Sequence, residues 1–384
     1  MPSNEPLRGL VVVEIGHSIA APFAGLILSD LGAEVIKVES KRGGGDYARG
    51  WGPPFYEGTA SAYHAYNRGK QAVTVDLAEP RDAEALRRLV LARADVVIQN
   101  LRSGVVERFG LGAEALLAAK PSLVYCNLGA FGDAGPLADK PGYDPLVQAF
   151  AGLMSITGEG GGRPPVRIGV SLNDMGAGMW SVIGILSALL ERAQGGSCGK
   201  GGTVSTSLYE TALSWLTLPM ASYGVSREVR QPRGSAVDEI VPYQCFATRQ
   251  GWLMIAAGND GLYRKLCLVL GRPDLAEDER FRSNAGRVAH REVLLPQLEA
   301  AIGAEALDAL ATRLDAAGVP NAPLQDIGQV AAHAQTEALG MLQPERDGGL
   351  KLLGLPLRFD GVRPAHRFPT PGLGEHNDIL EDPA

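Results

Sequence analysis

The chain has 384 residues, 49 of them glycine and 45% hydrophobic, enough for two or three domains with a sizeable core. Lys+Arg number 36 against Asp+Glu 43, a formal net charge of −7, which argues against general nucleic-acid binding because that needs a basic footprint. With 21% charged residues and no Gly-X-Y period, neither disorder nor collagen-like structure fits.

Met1–Arg8 is not followed by the apolar stretch of a signal peptide, and no run of about 18 uninterrupted apolar residues occurs. A cytoplasmic protein without a membrane span is expected. Cys126, Cys198, Cys245 and Cys267 are widely spread, which suits reduced thiols better than a disulfide framework.

In chain order, Leu10–Ile15 reads as an apolar strand and Gly16-His17-Ser18 as a turn. A helix over Ala20–Leu31 is stopped by Gly32, and a strand over Val35–Val38 ends at Glu39. The pattern recurs with a strand at Ala72–Leu77, a helix at Pro80–Arg93 and strands at Val96–Gln99 and Leu123–Leu128. Short apolar strands alternating with helices predict an α/β protein with a parallel sheet. Met179–Leu190 is apolar nearly all the way round, which predicts a helix buried on every face but too short for a bilayer. Gly195–Gly202 is a break, Thr203–Leu218 resumes ordered structure, and Val225–Asp238 is polar and loop-like. Ile240–Ala257 reads as two strands about Gln250-Gly251. Helices at Gly261–Leu270, His290–Ala301 and Glu305–Ala317 follow, suggesting a smaller second domain. From Pro356 the chain is rich in Pro and Gly.

Several motifs fail on inspection. The opening strand–turn–helix, with Glu39 where a ribose-binding acid would fall, lacks the dinucleotide fingerprint: Ser18 and Ala21 stand where glycines should. Gly195–Lys200 is one residue short of a phosphate loop and lacks the Ser or Thr after its lysine. The six histidines are scattered without metal-ligand spacing, so no metal is expected. Gly169-Val170-Ser171-Leu172-Asn173 is a near miss to a nucleophile elbow and keeps open a serine hydrolase using Ser171. Asp174-Met175-Gly176-Ala177-Gly178 lies just before the apolar helix. There an aspartate reads as an N-cap, or as a nucleophile whose ionised form the helix N-terminus favours, with small residues leaving room for a substrate.

Beyond these readings, Leu7–Val12 with Leu31–Glu39, Asn67-Arg68-Gly69-Lys70, Asn100–Gly104, Tyr143–Ala149, Ile240–Gln244 and Leu373–Asn377 resemble, in order and over nearly the whole chain, the class III CoA-transferases. That family includes formyl-CoA, carnitine and dicarboxylate CoA-transferases and α-methylacyl-CoA racemase. The resemblance implies a Rossmann-like, parallel-sheet large domain that is discontinuous, 1–200 with 325–384. A linker over 201–235 would lead to a small α+β domain over 236–324. It further implies an interlocked homodimer with active sites between the domains, coenzyme A or acyl-CoA as substrate, and neither metal nor nucleotide cofactor. Asp174 falls on the family nucleophile. His17 resembles the residue over the pantetheine end of CoA near the reacting carbonyl. Lys41 and Arg42 look placed for CoA phosphates, which suit cationic partners. Leu77, Asn100 and Leu101 resemble positions around the adenine, Arg108 a phosphate-binding arginine, Lys140 and Tyr143 residues lining the CoA channel, and Asp144 a supporting polar group.

Two departures narrow the reaction. The racemase branch has a histidine base where Tyr143-Asp144 stands here, so α-proton exchange is the less favoured activity. Ile19 replaces a glutamine of the formyl-CoA transferases, and Gly234–Glu239 replaces their glycine run. The expected reaction is CoA transfer from a donor such as succinyl-CoA to a dicarboxylic or hydroxy acid, with carboxylic acids and acyl-CoA as the only partners.

Overall fold

The computed structural model describes residues 5–345 and 349–381. Six strands form one parallel sheet: β1 (Val11–Ile15), β2 (Glu34–Ser40), β3 (Gln71–Val75), β4 (Val96–Gln99), β5 (Val124–Gly129) and β6 (Gly202–Ser207). Their spatial order is β3-β2-β1-β4-β5-β6, with Val12 opposite Val35 on one side and Val96 on the other. This is the doubly wound order, in which the chain reverses direction between β1 and β4 and opens a crevice at the strand ends.

Alternating residues of the strands feed two cores. On one face Val12, Val35, Val96 and Val124 pack with Ala24 and Leu28 of α1 (Ala20–Asp30) and with Val182, Ile185 and Leu189 further along the chain. On the other face Val13, Ile36, Val73, Val97 and Tyr125 meet Leu86, Leu89 and Val90 of a helix that runs Pro80–Arg93. Both faces of the sheet are covered, which explains why the strands read as apolar runs rather than alternating ones.

The remaining helices used below are α2 (Ser61–Asn67), α3 (Pro80–Arg93), α4 (Asp144–Phe150), α5 (Leu172–Ala193) and α6 (Leu208–Trp215). Two features of α5 differ from the sequence reading. It begins two turns before Met179, because Asn173, Asp174, Gly176 and Gly178 dilute the apolar signal of its first turns. Nor is it buried all round: Val182, Ile185 and Leu189 face inward, but Met179, Trp180, Ile183 and Leu190 are about half exposed.

The chain divides into two compact units. The larger takes in Met1–Leu153, Arg167–Glu228 and Ala334–Ala384, and the smaller Met154–Val166 and Val229–His333. The stretch Met154–Val166, which the sequence reading leaves in the large domain, has no apolar periodicity to ally it with either. In the smaller unit β7 (Tyr243–Thr248), β8 (Gly251–Ala256) and β9 (Asn321–Pro323) form an antiparallel sheet in the order β9-β8-β7. Phe246, Leu253 and Ile255 pack there against Tyr263, Leu266, Leu294, Leu298, Leu310 and Leu314 of the helices that follow. The architecture is therefore α/β, with a discontinuous parallel-sheet domain and a smaller α+β domain. Among the described residues no helix is long and apolar enough to cross a membrane.

Candidate active site

The first turn of the large unit is built on buried charges. Glu14 sits on β1 and Lys37 on β2, both fully buried among apolar strand neighbours. Lys37 Nζ donates to Glu14 Oε1 (3.0 Å) and to the Gly16 carbonyl (3.0 Å), and pairs with Asp46 Oδ2 at 2.8 Å. Lys70 Nζ reaches the other Glu14 oxygen (2.7 Å), the Pro22 carbonyl (2.9 Å) and Asn67 Oδ1 (2.9 Å). Burial opposes ionisation of Glu14, but the two lysines outweigh it and hold the carboxyl below its ordinary range. Asp46 is likewise held low, mainly by Lys37 against the cost of burial.

This lattice fixes the turn above it. Asp46 Oδ1 accepts the Ser18 amide at 2.9 Å, and Ser18 adopts φ +70°, a region rare for any residue but glycine. Asn100, at the end of β4, clasps His17 from the neighbouring strand: its Oδ1 accepts the His17 amide and its Nδ2 donates to the His17 carbonyl, both at 3.0 Å. The imidazole makes a 2.9 Å contact from Nδ1 to Ser18 Oγ and meets the Tyr47 ring edge-on. Burial, helped by Lys37 and opposed by Asp46, keeps it below the usual histidine range.

A cavity of about 440 Å³ opens at the carboxyl ends of β1, β2 and β3. His17, Arg42, Leu77 and Leu101 line it, together with Tyr47 and the side of Glu39. Four positions assigned by resemblance thus share one crevice at the place where doubly wound sheets bind ligands. Lys41 and Asn100 flank it, Asn100 acting through the His17 backbone. Both cations already have partners: Arg42 pairs with Asp76, and Lys41 lies 3.4 Å from Asp82. Glu39 is occupied too, receiving the Arg49 guanidinium at 2.6 Å and the Asp46 amide at 3.2 Å, so it is not free for a ribose.

Asp174 stands in the first turn of α5, not before the helix, and it does not cap it. Ser171 is the N-cap residue, and its side chain makes no capping bond. The capping acceptor comes instead from α4. Asp144, essentially buried, accepts the Asn173 amide on Oδ1 (2.7 Å) and the Gln148 side chain on Oδ2 (2.6 Å), while Gln148 Oε1 accepts the Ile168 amide (2.8 Å). One carboxylate thereby satisfies an orphan amide of a neighbouring helix. The room that Gly176 and Gly178 were expected to leave for substrate is taken by protein: a Cβ on Gly176 would lie 2.6 Å from Trp215, and one on Gly178 2.8 Å from the Ala20 carbonyl. These glycines let α6 and α1 approach the first turns of α5.

The electrostatics also differ from expectation. Burial first, and then the neighbouring Asp144 charge, raise the Asp174 carboxyl from its ordinary 3.8 to about 7. That change corresponds to about 4 kcal/mol against the ionised form. A helix N-terminus returns only about 0.3–1 kcal/mol, so the helix does not win. The result is a carboxylate that is about half ionised near neutrality and a stronger nucleophile than an ordinary aspartate. Tyr66 of α2, seated edge-on against Phe23 of α1, feels the Asp174 charge, and burial together with that charge raises its phenol.

Besides Asp144 and Asp174, three more predicted positions lie away from the cavity. Arg108 is on an exposed 3₁₀ turn. Lys140 sits 5.5 Å from the centres of both the Phe131 and Phe150 rings, and Tyr143 is exposed at the start of α4. Sequence reasoning gave no role to Glu14, Ser18, Lys37, Asp46, Tyr66 or Lys70. The available signal was a charged residue inside an apolar strand, VVVEI and VIKV, since charged groups are rarely buried unless paired. Among the described residues no group of three or more His, Cys, Asp and Glu is arranged to hold a metal ion.

Residues 7–377 match the family profile described as CoA-transferase family III. Succinate–glutarate CoA-transferase of Agrobacterium fabrum is 37% identical over 98% of this chain and 95% of its own length. Acetyl-CoA:oxalate CoA-transferase of Acetobacter aceti is 35% identical over 98% and 95%. Among solved structures, a CAIB/BAIF family protein from Brucella suis superimposes with a TM-score of 0.87 at 39% identity, covering 99% of both chains.

Proposed function

The chain belongs to CoA-transferase family III, and from that premise we propose that it moves CoA from succinyl-CoA to a dicarboxylic or hydroxy acid, with Asp174 as nucleophile. CoA-transferase activity on acyl-CoA follows from the family; donor, acceptor and residue roles are our reading. The observation that carries it is Asp174 itself. It is a largely buried carboxylate with its pKa pushed up to about 7, accepting no hydrogen bond among the described residues.

In the first step an Asp174 oxygen attacks the thioester carbonyl, the C–S bond breaks, and an acyl–aspartyl anhydride and CoA thiolate form. The thiolate then attacks the aspartyl carbonyl and expels the donor acid, leaving an aspartyl-CoA thioester. The acceptor carboxylate attacks this thioester to give a new anhydride and free thiolate. Attack of the thiolate on the acceptor carbonyl releases the product acyl-CoA and restores Asp174. Thioester energy is kept throughout, and the covalent route divides a difficult exchange into easier steps. In this reading the cavity at the ends of β1–β3 takes CoA, its pantetheine end toward His17 and its phosphates toward Arg42 and Lys41, which exchange their acidic partners for phosphate oxygens.

Racemisation is disfavoured because both Asp144 oxygens are committed, to Asn173 and Gln148, which leaves no free base at that position. Hydrolysis through Ser171 is disfavoured because the rings of His17, His64, His290 and His376 make their contacts elsewhere, with Ser18, Tyr56, Gly286 and Ala72. The half-exposed Met179, Trp180, Ile183 and Leu190 support a homodimer, interlocked as in the family, that covers this face of α5. We place the enzyme in the cytoplasm, acting on small acids alone.

The test is a thioester-exchange screen over donor and acceptor acids, beginning with succinyl-CoA and glutarate. Hydroxylamine or borohydride added to enzyme and succinyl-CoA is expected to trap Asp174, and Asp174→Ala to abolish exchange. A protein that binds CoA but exchanges no pair would overturn the reading.

A further inference from the structure

We infer that Ser18 is a positioning residue for CoA transfer: its hydroxyl donates to His17 Nδ1 and holds the imidazole in the tautomer that presents Nε2–H to the cavity. The inference deepens the transferase reading above and rests on it.

Three observations lead to it. First, every other polar atom of His17 is engaged: the amide and carbonyl by Asn100, and Nδ1 by Ser18. Nε2 is the one left to face a ligand, in a side chain that lines the cavity. Second, the Ser18 hydroxyl is buried, 9% of the residue being exposed, and has no other polar contact among the described residues. If Nδ1–H donated to Oγ, the serine proton would be a buried donor with no acceptor. If Oγ–H donates to Nδ1, the buried hydroxyl has its acceptor and the remaining proton, on Nε2, lies at the cavity where a ligand or water can take it, which is the pattern buried polar groups follow. Third, the backbone does not call for serine. At φ +70° glycine would hold the turn without strain, yet a serine stands there, so what it adds is the hydroxyl.

The arrangement has a chemical use. The turn leads into α1, whose Ala20 carbonyl abuts Gly178, one helical turn beyond Asp174. A neutral N–H held in this corner suits a thioester carbonyl oxygen, which gains negative charge as Asp174 attacks. Neutrality is favoured by burial of the ring and by Lys37, with Asp46 opposing. The same Lys37 and Asp46 hold the Gly16 carbonyl and the Ser18 amide, so the donor sits on a rigid base.

The experiment pairs spectroscopy with kinetics on the full chain. In [15N]histidine-labelled protein, with the His17 signals assigned by His17→Gln, the wild type is expected to show a protonated Nε2 and an unprotonated Nδ1. Ser18→Gly relieves the backbone and removes the hydroxyl together with its methylene. Its Tm is expected to equal or exceed the wild-type value while His17 becomes a mixture of tautomers. The kcat for succinyl-CoA and glutarate should fall roughly tenfold, the worth of one hydrogen bond, with KM for succinyl-CoA unchanged. A wild-type ring protonated on Nδ1, or a Ser18→Gly enzyme with wild-type kcat, overturns the inference. If the wild type exchanges no acid pair, the transferase reading fails instead, and the tautomer is judged from the spectrum alone.

Discussion

Replacing the Asp174 carboxylate should stabilise the protein, and by an amount that depends on pH. In the folded chain this carboxyl has a pKa of about 7 because burial and Asp144 oppose its ionisation; in the unfolded chain it returns to the ordinary 3.8. Between those values the folded state binds more protons than the unfolded state, so this residue's contribution to stability falls as pH rises through the window and levels off above about 7. The full penalty is about 4 kcal/mol at pH 8, about 1.5 kcal/mol at pH 5 and about 0.6 kcal/mol at pH 4. Asp174→Asn keeps shape and volume but cannot ionise. Allowing for partial solvent access, it should gain about 2–4 kcal/mol over wild type at pH 8, with the advantage shrinking on acidification. Denaturant melts of the two proteins at pH 4, 5, 6, 7 and 8 measure this directly. A variant no more stable than wild type at pH 8, or one with a pH-independent advantage, would refute the proposed burial and repulsion at this carboxyl.

The same pKa sets a kinetic expectation: CoA exchange should rise with pH along a limb centred near 7, and Asp144→Asn should shift that limb to lower pH by removing the repelling charge. Arg42→Ala should raise KM for acyl-CoA and leave kcat nearly unchanged, with the effect largest at low ionic strength, as initial-rate kinetics in graded salt would record. Gly25→Ala places a Cβ in collision with Glu14 Oε2 and must displace the carboxylate that pairs Lys37 with Lys70, so a loss of about 3–5 kcal/mol is expected from its thermal or denaturant melt.

The sheet was legible because its information is local. Helix Pro80–Arg93 and strand Val96–Gln99 were read to the residue, the first opening on a proline at a position where the missing N–H costs nothing. The start of α5 was not legible, since its first turn carries Asn173, Asp174 and Gly176, and its acceptor for the Asn173 amide lies 29 residues upstream. The exposed apolar side of that helix was equally hidden: a composition that is apolar all round cannot tell a core neighbour from an unsheltered face. At the site, His17, Arg42, Leu77 and Leu101 could be gathered because they follow strand ends, where a doubly wound sheet collects its loops. The lattice below them could not. Lys70 and Glu14 are 56 residues apart, and nothing near either one announces the other. The pKa of Asp174 was anticipated in the wrong direction because the helix terminus is visible in sequence and the depth of burial is not.

Asp144 carries a further consequence. It anchors Asn173 at the beginning of one helix and, through the same negative charge, adds to the effect of burial on the basicity of the next residue, Asp174. A lineage adjusting this enzyme to a more acidic or more alkaline habitat therefore cannot retune the Asp174 carboxyl at Asp144 without also loosening the helix that presents it. Adaptation has to travel through residues that touch only one of the two functions, and the aromatic Tyr66, which feels Asp174 and holds no backbone, is such a route.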